Sequence, residues 1–113
     1  MISEDKLKGL FFGGALGDAL GAPHEFSYHD QNYSGKLEHK MKVLRRYKGA
    51  SFCQIGQITD DTEMSIMILN SLVTNKCKYV KDDLIIRYLE WANDPGSWAM
   101  GRNTRALFTP MEI

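Results

Sequence analysis

The sequence has no excess of charge of either sign. Its 14 lysines and arginines balance 14 aspartates and glutamates. Without a basic field, neither nucleic acid nor an anionic membrane surface is an expected partner. The apolar stretch near the N-terminus is too short to cross a bilayer, and Asp18 interrupts it. We therefore expect a cytoplasmic protein with no nucleic-acid and no membrane partner.

Cysteine is scarce, and the chain has no zinc-type pattern. Cys53 and Cys77 stand alone, with no CxxC motif and no histidine at zinc-ligand spacing. A disulfide between them is one interpretation, but two unpaired thiols in a reducing compartment is favoured. The three histidines lie in a polar region and form no HxxxH pair. A structural zinc site is therefore not expected.

Strand patterns, internal repeats and low-complexity segments are also lacking, so helices should dominate. The 113 residues, 43% of them hydrophobic, suffice for one domain with a modest core. Apolar spacing predicts helices near 4–20, 60–75 and 82–92, and a further helix starting near Asn103. Residues 27–57 show no sustained period and predict a long connection with at most a short strand or helical turn. The predicted class is all-α, with residues 1–113 as one domain.

The most informative stretch is Thr59-Asp60-Asp61, where a loop runs into a predicted helix. Asp60 suits an N-cap, and Glu63 three residues later completes a capping-box pattern. Two adjacent carboxylates exceed what capping needs, and with the hydroxyl of Thr59 they offer hard oxygen ligands of the kind Mg²⁺ prefers. An ordinary acidic first turn that suits the helix dipole is the alternative.

The predicted first helix carries an unusual run of glycines. Gly13, Gly14 and Gly17 should each cost a helix about 1 kcal/mol relative to alanine. We expect them to permit close packing of the backbone against another group. Asp18 lies in this small-residue stretch and needs a partner, either as a structural hydrogen-bond anchor or as a site residue. Glu25 follows the break at Pro23 and is placed to reach a cleft or solvent.

A third segment, Gly101-Arg102-Asn103-Thr104, follows a predicted turn at residues 93–96. It combines a glycine-containing loop with a helix start, where backbone N–H groups can receive phosphate oxygens. One glycine before a helix is weak evidence when taken alone.

Taken in order, these blocks resemble the N-terminal part of the ADP-ribosylglycohydrolase family. The opening helix with its following glutamate, the Thr59-Asp60-Asp61-Thr62-Glu63 motif, and the segment from Tyr88 to Leu107 all match, over about residues 9–108. Three ordered matches are far more specific than any one of them. The resemblance implies a partial orthogonal helical bundle and a hydrolase that removes ADP-ribose from modified proteins or small molecules.

The resemblance also implies roles for individual residues. Thr59, Asp60 and Asp61 match the first ligand set of a site for two Mg²⁺ ions, which would hold the ribose diol and a water. Glu25 matches a glutamate near the scissile bond, so Glu25, Asp60 and Asp61 are the candidate catalytic residues. Gly101, Arg102, Asn103 and Thr104 match a loop on the ADP-ribose side. We expect Asp18, Glu25 and Asp60 to converge on one side.

The sequence departs from the family in one respect. Family members are roughly three times as long, and a second acidic motif of the form Asp-x-Asp-Thr/Ser supplies their other metal ligands. No residue after Glu63 supplies that motif here. We expect a fragment, a truncated gene product or one piece of a split enzyme, with a second chain as a potential partner. The alternative is an inactive remnant that acts as a helical interaction or ADP-ribose-binding module.

Overall fold

The computed structural model describes residues 1–24, 42–44, 51–53, 55–97 and 100–108, with only the backbone of 42–44 and 51–53. The elements are α1 (Glu4–Gly21), a 3₁₀ turn (Ala22–His24), β1 (Lys42–Leu44), β2 (Ser51–Cys53), α2 (Asp60–Thr74), α3 (Lys81–Asn93) and α4 (Arg102–Phe108). The all-α prediction is confirmed, and each predicted helix boundary lies within about two residues of the observed one. Contacts divide the chain into a first unit, Met1–Thr59, and a second unit, Asp60–Ile113.

The first unit begins with α1, whose start follows its sequence signals. Ser3 is the N-cap, and its hydroxyl accepts the N–H of Lys6 at 3.2 Å. The first turn is acidic, which suits the positive end of the helix dipole. α1 ends in the 3₁₀ turn, where Pro23 is fully buried. No helix among the described residues is long and apolar enough to cross a membrane.

The expectation of close packing at the glycines of α1 is wrong for the described part of the chain. A Cβ built on Gly13, Gly14 or Gly17 would meet no described atom within 4 Å. The neighbouring apolar side chains are exposed as well, with Leu10 at 74% and Leu16 at 58%. The glycines therefore lower the helix propensity of α1 without a packing gain in this part of the structure.

The first unit also contains a two-stranded antiparallel ribbon. β1 pairs with β2 so that Val43 lies opposite Phe52. The ribbon falls inside the segment predicted as a long connection with at most a short strand. Two strands of three residues do not change the all-α class.

The second unit has its core where α2, α3 and α4 meet. Trp91 and Ala92 of α3 and Met100 are buried together, and Met64, Met67 and Phe108 pack partly against them. The ring of Tyr88 lies 5.7 Å from that of Phe108 in a tilted arrangement. This core fixes the segment that precedes α4 against the first turns of α2.

A polar network joins the C-terminal end of α2 to the N-terminal half of α3. One carboxylate oxygen of Asp83 accepts hydrogen bonds from Ser71 Oγ at 2.6 Å, Arg87 Nε at 2.8 Å and Asn75 Nδ2 at 3.0 Å. Arg87 also donates to Thr74 Oγ1 at 2.9 Å. The hydrogen bond from Arg87, followed by that from Ser71, lowers the pKa of Asp83 below its ordinary value. The network therefore favours the ionised form of Asp83.

The C-terminus of α2 closes with a Schellman motif built without glycine. The N–H of Cys77 donates to Leu72 O at 2.7 Å and that of Lys76 to Val73 O at 3.4 Å. Lys76 and Cys77 have φ angles of 52° and 64°, in the left-handed region. Cys77 is an exposed, unpaired thiol, in keeping with the favoured interpretation; the side chain of Cys53 lies outside the described residues.

Replacing Lys76 by glycine is expected to stabilise the chain. Lys76 occupies the position where glycine is usual, and a left-handed conformation costs a side-chain-bearing residue about 1 kcal/mol. Part of that gain is offset by the greater freedom of glycine in the unfolded chain. We expect the free energy of unfolding, measured by urea titration, to rise by about 0.5 kcal/mol. Lys78→Gly, at an exposed position beyond the motif, is the control, and an equal rise there would contradict this explanation.

Candidate functional site

In the first unit, the carboxylate of Asp18 binds the residue that heads the acidic motif. Asp18 Oδ2 accepts the backbone N–H of Thr59 at 2.8 Å, and Asp18 Oδ1 accepts the hydroxyl of Thr59 at 2.6 Å. Thr59 is buried, with 3% of its surface exposed. Of the two roles open to Asp18 in the sequence, the structure shows the hydrogen-bond anchor. The pair is 41 residues apart, and no spacing in the sequence signals it.

In the second unit, Asp60 is the first residue of α2 rather than the residue before it. Its Oδ2 accepts the N–H of Gly101 at 3.4 Å, a long and therefore weak hydrogen bond. The contact joins the acidic motif to the predicted substrate segment, 41 residues later in the chain. Two blocks that the sequence singled out independently thus meet in the folded second unit.

Glu63 makes a contact other than the predicted capping box, which needs Asp60 to precede the helix. Its Oε2 accepts the indole N–H of Trp91 at 2.6 Å. Because Trp91 belongs to the core, this bond fixes the first turn of α2 against α3 and thereby holds the backbone around Asp60 and Asp61. No pattern in the sequence signals this pair, which is 28 residues apart.

The other predicted site residues differ in their position and exposure. α4 begins at Arg102, so Gly101 precedes the helix and Arg102, Asn103 and Thr104 form its first turn. Arg102 and Asn103 are exposed, whereas Thr104 is half-buried. Glu25 lies outside the described residues, and the convergence of Asp18, Glu25 and Asp60 stays a prediction. Asp61 is exposed at the start of α2.

The oxygen donors of the motif suit a hard cation, but they can supply only part of its coordination sphere. Thr59, Asp60 and Asp61 are consecutive and offer one hydroxyl and two carboxylates, which suit Mg²⁺. Within the described ranges, no three histidine, cysteine, aspartate or glutamate side chains lie together as a metal-binding group. Mg²⁺ requires octahedral coordination by oxygen, so three donors supply only one side of its coordination sphere and further ligands or waters must complete it.

Comparison with known proteins supports the family resemblance of these sequence blocks. The family model for ADP-ribosylglycohydrolase matches residues 1–112. The ADP-ribosyl-[dinitrogen reductase] glycohydrolase of Rhodospirillum rubrum is 38% identical over 81 residues, which are 70% of this chain and 26% of the relative. The uncharacterized protein YegU of Escherichia coli (strain K12) is 28% identical over 94 residues, 80% of this chain and 28% of the relative. No solved structure matches. The chain spans about a quarter of the length of these relatives.

Proposed function

The chain belongs to the ADP-ribosylglycohydrolase family, and we propose that it supplies the first half of a Mg²⁺-dependent site that hydrolyses ADP-ribosyl bonds. The observation that carries this proposal is the contact between Asp60 and Gly101. It links a candidate metal ligand to the segment that the family resemblance assigns to ADP-ribose. The pairing brings together two of the three blocks that match the family.

Each residue of the two blocks has a defined part in the proposal. Thr59, Asp60 and Asp61 provide oxygen ligands, and Gly101 to Thr104 border the bound ADP-ribose. Bound Mg²⁺ would hold the ribose diol and a water and stabilise the charge that develops as the bond at C1″ breaks. Glu25 is proposed to orient or deprotonate the attacking water. The second acidic motif must come from residues beyond those of this chain.

The proposed substrate is ADP-ribose attached to a protein. The Rhodospirillum rubrum relative is named for an ADP-ribosylated protein, which supports a protein-linked ADP-ribose here. Whether the ADP-ribose is linked to arginine, serine or another side chain is to be determined by assay. The chain is co-expressed with the part of that relative beyond the matched residues, and ADP-ribose release from arginine-linked and serine-linked peptides is compared. Binding of ADP-ribose without release from either peptide would favour a binding module instead.

A second candidate function, docking onto another helical chain, is favoured by the surface of α1. Its exposed large apolar residues lie on several sides of the helix: Leu7, Leu10, Phe12 and Leu16. A helix that is apolar around much of its circumference is normally covered by neighbouring elements. We propose that the occupant is the helical chain that carries the second acidic motif, because the relatives are about four times as long as the matched part.

Leu10→Asp is expected to weaken this association strongly. Leu10 is 74% exposed, so the substitution should leave the isolated chain folded while placing a charge in the apolar contact. Co-purification of the two co-expressed pieces is the measurement, with circular dichroism of the isolated chain as the folding check. Lys6→Asp, at an exposed polar position of α1, is the control. Equal recovery of the complex with Leu10→Asp and with the unaltered chain would contradict docking through α1.

A further inference from the structure

The hydroxyl of Thr59 is held by a carboxylate, which determines what the oxygen can do. Asp18 accepts both the N–H and the hydroxyl of Thr59, at 2.8 and 2.6 Å. Hydrogen bonds to an ionised acceptor are about twice as strong as those between neutral groups. With two such bonds to one carboxylate, both the backbone and the side-chain torsion of this buried threonine are fixed.

The direction of the second bond matters more than its strength. A threonine hydroxyl has one hydrogen to donate and two lone pairs, whereas an ionised carboxylate can only accept. The hydrogen of Thr59 Oγ1 therefore points to Asp18, and toward any third group the oxygen acts as an acceptor. Donation to a carboxylate also increases the negative charge on that oxygen. Both effects are what a cation requires of a hydroxyl ligand.

We infer that Asp18 is a positioning residue that orients Thr59 Oγ1 as a Mg²⁺ ligand. The inference rests on the proposed function, in which Thr59 heads the first ligand set. Asp18 itself contacts Thr59 and is not assigned to the metal. Groups that orient a ligand in this way influence metal affinity by about tenfold to a hundredfold. A purely structural anchor would instead change the stability of the fold and leave the affinity of the folded chain unaltered.

Manganese titration of the chain complemented with the missing part of the enzyme tests the inference. Mn²⁺ shares the oxygen preference of Mg²⁺ and broadens NMR signals of nearby amides. The titration midpoint for broadening at residues 59–61 is compared between the unaltered chain, Asp18→Ala, Asp18→Asn and Thr59→Val. Asp5→Ala, an exposed carboxylate at the start of α1, is the control. Thermal unfolding without metal is measured for each variant, so that a loss of stability is recorded separately.

Asp18→Ala is expected to raise the midpoint by about tenfold to a hundredfold. Asp18→Asn keeps one carbonyl oxygen and should raise it less, which also provides a milder variant if alanine prevents folding. In the Thr59→Val background, either Asp18 substitution should cause a much smaller further change, because the oxygen that Asp18 orients is gone and only the bond to the backbone N–H remains. That coupling separates positioning through Thr59 from a general effect of lost charge.

Three outcomes would overturn the inference in distinguishable ways. Equal midpoints for the unaltered chain and a folded Asp18 variant would reject positioning while leaving the proposed metal site intact. The absence of localised broadening at residues 59–61 in the unaltered chain complemented with the missing part of the enzyme would reject the metal site, and the inference with it. A further rise on adding Asp18→Asn to Thr59→Val that equals the rise caused by Asp18→Asn alone would show that Asp18 acts on the metal by another route.

Discussion

Asp60→Asn and Asp61→Asn are each expected to abolish ADP-ribose release by the chain complemented with the missing part of the enzyme. Asparagine preserves the shape of the side chain and removes the charge that a Mg²⁺ ligand provides. If the loss of a metal ligand removes several kcal/mol of transition-state stabilisation, the rate falls by about a thousandfold or more. The measurement is the initial rate of release at saturating Mg²⁺, with far-ultraviolet circular dichroism to show that helix content is unchanged.

A matched control separates ligand loss from the loss of a helix-terminal charge. Asp82 also lies in the acidic first turn of a helix, α3, but outside the matched motif. Removing a charge at an exposed helix start costs about 0.3–1 kcal/mol of stability, so Asp82→Asn should leave the rate nearly unchanged. A complemented enzyme that tolerates both Asp60→Asn and Asp61→Asn would show that these residues only begin α2.

Trp91→Ala is expected to lower the free energy of unfolding by about 3–5 kcal/mol. Trp91 is buried in the core of the second unit and donates its indole N–H to Glu63 at 2.6 Å. The alanine variant loses the apolar contacts with Ala92 and Met100 and leaves Glu63 without this donor. Since small domains are stable by only about 5–15 kcal/mol, much of the second unit should unfold near physiological temperature.

The Trp91→Phe variant separates the contribution of apolar packing to stability from that of the hydrogen bond to Glu63. Phenylalanine fills most of the same volume but cannot donate to Glu63, so we expect an intermediate loss of about 1.5–3 kcal/mol. Glu90→Ala, at an exposed neighbouring position of α3, should change stability by no more than about 0.5 kcal/mol. Urea titration followed by circular dichroism measures all three variants. Similar losses of stability for Trp91→Ala and Glu90→Ala would contradict the place of Trp91 in the core of the second unit.

The helices were predictable because their signals are local. Ser3 marks the start of α1 by a side-chain bond three residues away, and the acidic first turn of α2 marks its start at Asp60. Apolar periodicity then fixed the lengths to within about two residues. The end of α2 shows where local signals fail, because Lys76 adopts a conformation that sequence reasoning expects of glycine.

The segments that form the candidate site could be predicted from the sequence, but the contacts between their side chains could not. The motif at Thr59 to Asp61 and the segment from Gly101 were identified separately, because each has a local pattern. The partners of Asp18 and Glu63 were not, because the bonds to Thr59 and Trp91 span 41 and 28 residues. Such pairings depend on tertiary packing, which a single sequence does not encode at any fixed spacing. The glycines of α1 predicted close packing that the described residues do not supply, since the composition of a helix does not say which group covers it.

The measurement that tests the central claim most directly is ADP-ribose release by the 113-residue chain alone, with Mg²⁺ in excess, beside release by the complemented pair. One side of a coordination sphere cannot fix the cation without opposing carboxylates, because Mg²⁺ keeps its waters and gives them up reluctantly. We predict no detectable release by the chain alone and clear release by the pair. Enzyme-like turnover by the isolated chain would contradict the claim that it carries only the first half of the site.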